Sequence, residues 1–226
     1  MDQLTPSELV FLHGERFATR AIAGNVSLPL SDRAVATDQL ATAVLTAAFL
    51  ANEEEGAIRF EMGETARWLG LRKRTALSVA TNGPAPMWPD HTLEWAVSTF
   101  LGGMEGETGT ADPILVAALV DALFDGDETD PWRYVIELVE DGLAARGLLD
   151  RRRERWLRLP TGRTEYGLTG ELERLAADSS PEKIERLFSA VETARPELWK
   201  LLRWELERAV AARLDTSSYY VYHGSS

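Results

Sequence analysis

The chain has no cysteine, so it can form no disulfide, offer no thiol nucleophile and build no thiolate metal site. Lysine is almost as scarce. Lys73, Lys183 and Lys200 are the only three among 24 basic residues, which leaves cationic chemistry to arginine. The three histidines, His13, His91 and His223, lie far apart and form no HxxxH, HxH or HExxH pair that would place two imidazoles on one metal. Each suits a surface or capping role. There is no G-x-S-x-G elbow, no Walker-type glycine loop and no G-x-G-x-x-G after a strand, so an enzyme is the least favoured class and no cofactor is expected.

Long apolar runs are missing as well. Gln39 to Asn52, the longest stretch of low charge, is rich in alanine and threonine and falls short of the roughly 20 residues that span a bilayer. It fits a core helix. The start, Met1-Asp2-Gln3, lacks a basic region, and Glu8, His13 and Glu15 interrupt the apolar positions that follow, so no signal peptide is expected and a cytoplasmic location is the default.

What is present is an ordinary globular composition, 226 residues with 45 % hydrophobic, enough for one large core or two small ones. The formal charge is -12. Such a field repels a phosphate backbone, which disfavours nucleic acid as a partner except through a local basic patch. The acidic run Asp125, Asp127 and Glu128 has the oxygens a hard cation takes but not the spacing of an EF-hand loop, and no metal site is assigned.

Periodicity points to helices joined by hairpins. Thr5-Pro6-Ser7-Glu8 is a capping box with proline at the first helical position, opening a short helix through about Leu12. Ala21 to Leu30 offers a hairpin around Gly24-Asn25. Asp38 begins a second helix with Leu40, Val44, Leu45, Ala48 and Phe49 on one face, closed by Glu53 to Gly56. Ile58, Phe60 and Met62 then alternate with Arg59 and Glu61 as a half-buried strand, followed by a Gly63-Glu64 turn and strand-like segments at 65–71 and 75–81.

Asn82 to Pro89 is a proline-broken loop, His91 to Leu101 a helix, and Gly102 to Gly109 a glycine-rich, acidic candidate for a mobile loop. Asp112-Pro113 opens a buried helix. Helices at 170–177, 181–194 and 196–214 end the fold, the last packing Leu198, Leu201, Leu202, Leu206, Val210 and Leu214 with Trp199 and Trp204 widening the face. The tail 215–226 is expected to be disordered.

The densest chemistry lies between Asp130 and Thr169. Asp130 can cap a helix whose first residue is Pro131, Gly147 ends it, and a hairpin follows around Pro160-Thr161-Gly162. Arg151, Arg152, Arg153, Arg155, Arg158 and Arg163 crowd this hairpin with Glu154 the sole acid among them, and Trp156 sits inside the cluster. A second basic group, Arg72, Lys73 and Arg74, occupies the comparable hairpin region of the first half, with Trp68 nearby. Arginine grips phosphate with a planar fork and tryptophan favours an interface that is apolar on one side and wet on the other. Two accounts stay open: contact with phosphates outside the chain, or ion pairing with the surplus of Asp and Glu.

The opening LTPSELVFL, the helix and hairpin from Asp38 to Met62, the segment TNGPAPMWPDHTLEWAVSTF and above all WRYVIELVEDGLAARGLLDRRRERWLRLPTGRTEYGLT resemble the Golgi phosphoprotein 3-like family in its bacterial form, over about Leu4 to Leu175. The resemblance implies a peripheral protein that binds phosphoinositide-like head groups, with a hairpin that helps self-association or membrane contact. The family's lipid-binding members carry R-x-x-R near the start of the helix. Here Arg133 matches the first position and Ile136 stands at the second, which moves the expected anion contact to Arg133 with the hairpin residues Arg151, Arg152, Arg153, Arg155, Trp156 and Arg158.

The expectation is therefore a mainly α protein with short β-hairpins, one helical domain over 1–214. Two winged-helix-like lobes, about 1–81 and 82–169, precede a helical end at 170–214. Its expected role is a non-enzymatic peripheral membrane or adaptor protein, cytoplasmic and held at the inner face of a membrane. The alternatives are a protein-protein assembly module without a lipid ligand and, well behind, a winged-helix nucleic-acid regulator, whose helix at Pro131 carries too many carboxylates to read bases.

Overall fold

A computed structural model describes residues 3–20, 25–31, 33–67, 72–108, 113–124, 126, 128–156 and 159–221. At 25, 65–67, 72–73, 104–108, 152–156, 159–165 and 215–221 it describes the course of the backbone alone.

The fold is built around one helix. α2 (Thr37–Glu54) is buried on every side from Leu40 to Asn52, and α1 (Pro6–Leu12), α3 (Leu93–Thr108), α5 (Pro131–Ala145) and α8 (Pro196–Val221) all pack against it. A helix with no polar face needs small side chains where neighbours come close, and alanine at 41, 43, 47, 48 and 51 supplies them. Its buried hydroxyls are satisfied within the helix. Thr42 donates to the Asp38 carbonyl at 2.8 Å and Thr46 to that of Thr42 at 2.7 Å. Asn52 ties it to α3 and the segment ahead of it by donating to the Glu94 carbonyl at 3.1 Å and accepting from the Trp88 indole at 3.0 Å.

Twice, a helix of the core runs into a hairpin through the same junction. α2 ends at Gly56 (φ 74°), with Gly56 N–H donating to Glu53 O and Ala57 N–H to Asn52 O. α5 ends at Gly147 (φ 73°), with Gly147 N–H donating to Ala144 O and Leu148 N–H to Leu143 O. Both are Schellman motifs, in which a left-handed residue lets two terminal carbonyls find donors, a conformation that glycine adopts without strain. Each hairpin starts at once: β3 (Ile58–Arg67) with β4 (Arg72–Thr81), and β6 (Leu149–Trp156) with β7 (Leu159–Leu168), both antiparallel. The short β5 (Ile114–Leu115) adds to β4, and β1 (Asn25–Ser27) pairs with β2 (Ala34–Ala36) ahead of α2. The mainly helical architecture with short antiparallel hairpins is as expected.

Several local expectations are corrected. No turn forms at Gly63-Glu64, because Gly63 pairs with Ala76 and Glu64 with Thr75, and the ladder continues to Arg67 opposite Arg72. The segment from Gly102 is no loop: α3 continues through Gly102, Gly103 and Gly106 to Thr108. The buried helix after Pro113 is shorter, since Ile114 and Leu115 are drawn into the sheet and α4 spans Val116–Ala122. α6 (Gly170–Asp178) and α7 (Glu182–Ala194) follow expectation. α8 runs on to Val221, well into the segment expected to be disordered. The remaining tail, together with Trp68, Asp125, Asp127 and Arg158, lies outside the described residues. Among the described residues no helix is long and apolar enough to cross a membrane.

Candidate functional site: the start of α5, the basic hairpin and the adjoining cleft

Asp130 caps α5 by accepting from the Arg133 N–H at 3.0 Å, and Pro131 takes the first helical position. This sets Trp132 and Arg133 side by side at the helix mouth. Arg133 does not reach outward as a free cation. Its guanidinium donates to Glu137 at 3.1 Å and to Glu140 at 2.5 Å. Burial pushes the Glu140 carboxyl up to about 7, against the pull of Arg133. Ile136, where the resemblance calls for a second arginine, is fully buried in the core.

The hairpin β6–β7 is a sheet of two strands by itself. Arg151 stands opposite Tyr166, Arg152 opposite Glu165, Arg153 opposite Thr164, Arg155 opposite Pro160 and Trp156 opposite Leu159, with an irregularity in register between Arg153 and Arg155. Arg151 is exposed and lies 3.5 Å from Asp141, which also accepts from the Tyr166 hydroxyl at 2.6 Å. Burial and the hydrogen bond to Asp141 raise the Tyr166 phenol. The sequence-derived set is thus split: Arg133 is engaged on α5, while Arg151 to Trp156 run along one strand.

In the first hairpin Arg72 and Lys73 stand opposite Arg67 and Ala66. Arg74 leaves the strand for the body of the molecule. Its guanidinium lies 3.8 Å from the centre of the Trp204 ring and 2.6 Å from Glu205, a carboxylate that is itself buried. Trp199 is buried as expected, but Trp204 is 42 % exposed and no part of the packed face.

Trp204 instead walls a cleft of about 370 Å³ between the start of α2, the start of α5 and the middle of α8, lined by Asp38, Thr42, Trp132, Trp204, Glu207 and Arg208. No family model matches the chain and no curated protein matches it. The chemistry of the cleft therefore rests on its own residues. Two indoles and two carboxylates meet one guanidinium, a lining suited to a cation more than to a phosphate. Sequence inspection missed it because its residues come from three helices more than 70 positions apart. The available signal was Trp132, a large aromatic at the second position of a capped helix, which packs partly against the core and also lines the cleft. Among the described residues, no group of three or more His, Asp or Glu is placed to hold a metal ion.

Proposed function

We propose that the chain is a non-enzymatic adaptor of the Golgi phosphoprotein 3-like kind, with two winged-helix-like lobes on one helical body, and that β6–β7 is its contact arm for an anionic membrane surface. The observation that carries this is charge segregation. Between 149 and 168 the sequence holds six arginines and three carboxylates, on a chain of net charge -12, and the strands β6 and β7, which carry five of the six, pair only with each other among the described residues. The repeated helix, Schellman turn and hairpin supports the two-lobe description. Arginines near a membrane surface contribute about 1 kcal/mol each toward anionic lipid, and the attraction is lost within a Debye length of roughly 10 Å, so only a projecting arm escapes the repulsion of the acidic body.

Co-sedimentation with phosphatidylcholine vesicles, with and without phosphatidylserine, tests this at about 0.05 and 0.15 M salt. Pelleting should require the anionic lipid, weaken at the higher salt and disappear when Arg151, Arg152 and Arg153 are changed to glutamate. Pelleting indifferent to lipid charge and to salt would end the membrane role.

A protein-protein assembly module is the second reading, favoured by a specific observation: Arg74, Arg133 and Arg146 each end on a carboxylate of the same chain. On this reading the arm meets an acidic protein surface. Mass measurement in solution would then show salt-sensitive complexes while vesicles remain unbound.

A further inference from the structure

The cleft between α2, α5 and α8 has a chemistry that the basic arm does not explain. Trp132 enters it from the first turn of α5, Trp204 from α8, and the carboxylates of Asp38 and Glu207 close two of its sides. Electron-rich indole faces attract cations, most strongly soft ones that shed water easily, and carboxylates at the rim add a Coulombic pull. The net charge of the molecule points the same way.

We propose that this cleft binds the methylated ammonium group of a small organic cation. The volume, about 370 Å³, lies within the range of small-molecule sites and exceeds what one quaternary ammonium group fills, leaving room for a short attached chain. Trp204 already serves as a cation acceptor on one face, where Arg74 stacks at 3.8 Å and is held by Glu205. Arg74 is not among the residues that line the cleft. Among the described residues the ion pair of Glu207 is a long one, to Arg203 at 3.8 Å, and its carboxylate lines the cleft.

Arg208 is the chain's own competitor. It lines the cleft and holds its guanidinium 5.3 Å from the Trp204 ring, where it repels an incoming cation and shares the indole surface. The site therefore has a signature with opposite signs. Loss of a carboxylate weakens binding, and loss of Arg208 strengthens it.

Choline chloride is the probe, added to the full chain with indole N–H resonances assigned by single tryptophan substitutions and sodium chloride as the ionic-strength control. The Trp132 and Trp204 signals should shift saturably, with Kd of about a millimolar, as expected of an exposed cation–π site with carboxylate support. Tetramethylammonium should compete and sodium chloride should not. Glu207→Gln and Asp38→Asn, both at exposed positions, should each weaken binding roughly fivefold, and Arg208→Gln should tighten it by a similar factor.

Phosphatidylcholine vesicles without anionic lipid distinguish the source of the group. Pelleting that choline reverses would assign it to a lipid head group, and choline binding without vesicle binding to a free metabolite. Absence of any saturable shift of the two indoles, or equal binding by wild type, Glu207→Gln and Asp38→Asn, would overturn the proposal. The outcome is independent of the anionic-surface test, since the described lining of the cleft comes from α2, α5 and α8 and not from the hairpin.

Discussion

Arg146 shows how a single side chain can carry charge into the core. It donates to Glu8 at 2.7 Å and to the Gln3 carbonyl at 3.1 Å, and both members of the ion pair are buried, with side-chain exposures of 8 % and 2 %. Glu8 in turn accepts from the Thr5 N–H, and the neighbouring Glu94 takes both the N–H and the hydroxyl of Ser7. Two carboxylates therefore surround the start of α1 with one guanidinium between α1 and α5. Burial pushes Glu8 up to about 7 and raises Glu94, while Arg146 and the Thr5 N–H hold Glu8 down. Removing one partner of such a pair costs about 3–5 kcal/mol, because the other stays buried and uncompensated. Arg146→Met should accordingly lower stability by about 3 kcal/mol near pH 8 in urea denaturation. The loss should be smaller near pH 5, below the raised Glu8 value, where the carboxyl is protonated and removal of Arg146 leaves no uncompensated charge. An equal loss at both pH values would show that Glu8 does not carry the charge.

At the scale of the element, three helical glycines separate sequence from context. Gly102 and Gly103 stand exposed in α3, and a Cβ at either meets nothing within 4 Å. Glycine in a helix costs about 1 kcal/mol relative to alanine, so Gly102→Ala and Gly103→Ala should each raise the unfolding free energy by about 0.5–1 kcal/mol. Destabilisation by both would mean that α3 ends before Gly102. Gly142 in α5 behaves in the opposite way. Its added Cβ would lie 2.1 Å from the carbonyl oxygen of His91, a backbone atom fixed by a non-glycine residue at φ 68°. Gly142→Ala should destabilise by about 3 kcal/mol despite its better propensity, measured by the same denaturation. Nothing in the local sequence tells these glycines apart. The capped starts at Thr5 and Asp130 and the glycine stops at 56 and 147 were legible because they are decided within one turn of chain. The pairing of Gly63 and the cleft were not, because each depends on segments distant in the chain, Ala76 across the ladder and three separate helices around the cleft, and nothing local to the exposed Gly102 and Gly103 marks the continuation of α3. Arg133 was legible as a cation near a helix mouth, but its engagement by Glu140, seven residues on, depends on how deeply α5 is buried.

At the scale of the whole molecule, the surplus of acid makes stability depend on pH in a definite direction. Glu8 and Glu140 are both pushed from 4.5 to about 7 by burial, and buried Glu94 is raised as well. Between pH 4.5 and 7 the native state thus holds protons that the unfolded chain has released. Stability follows the difference in bound protons, and here the native state binds more, so unfolding becomes easier as pH rises through this window. The contribution is complete below 4.5 and lost above about 7. Shedding net charge from -12 on acidification acts in the same sense, by relieving self-repulsion. The opposite trend belongs to exposed, paired carboxylates such as Glu182, which hydrogen bonds from Ser180, its own backbone N–H and Arg16 hold down at about 2. Its contribution is present above 4.5 and fades only as pH falls through 2, so the two groups of carboxylates do not cancel in the same interval. The unfolding temperature should therefore be highest near pH 5 and lower by roughly 5 °C at pH 8, the shift expected when about 2 kcal/mol is lost from a domain of this size. A scan from pH 4.5 to 8.5 at constant ionic strength measures it. Glu140→Gln, which keeps an acceptor for Arg133 and cannot ionise, should flatten the slope. A slope unchanged in that variant would leave Glu140 out of the titration and place the effect on the carboxylates around α1.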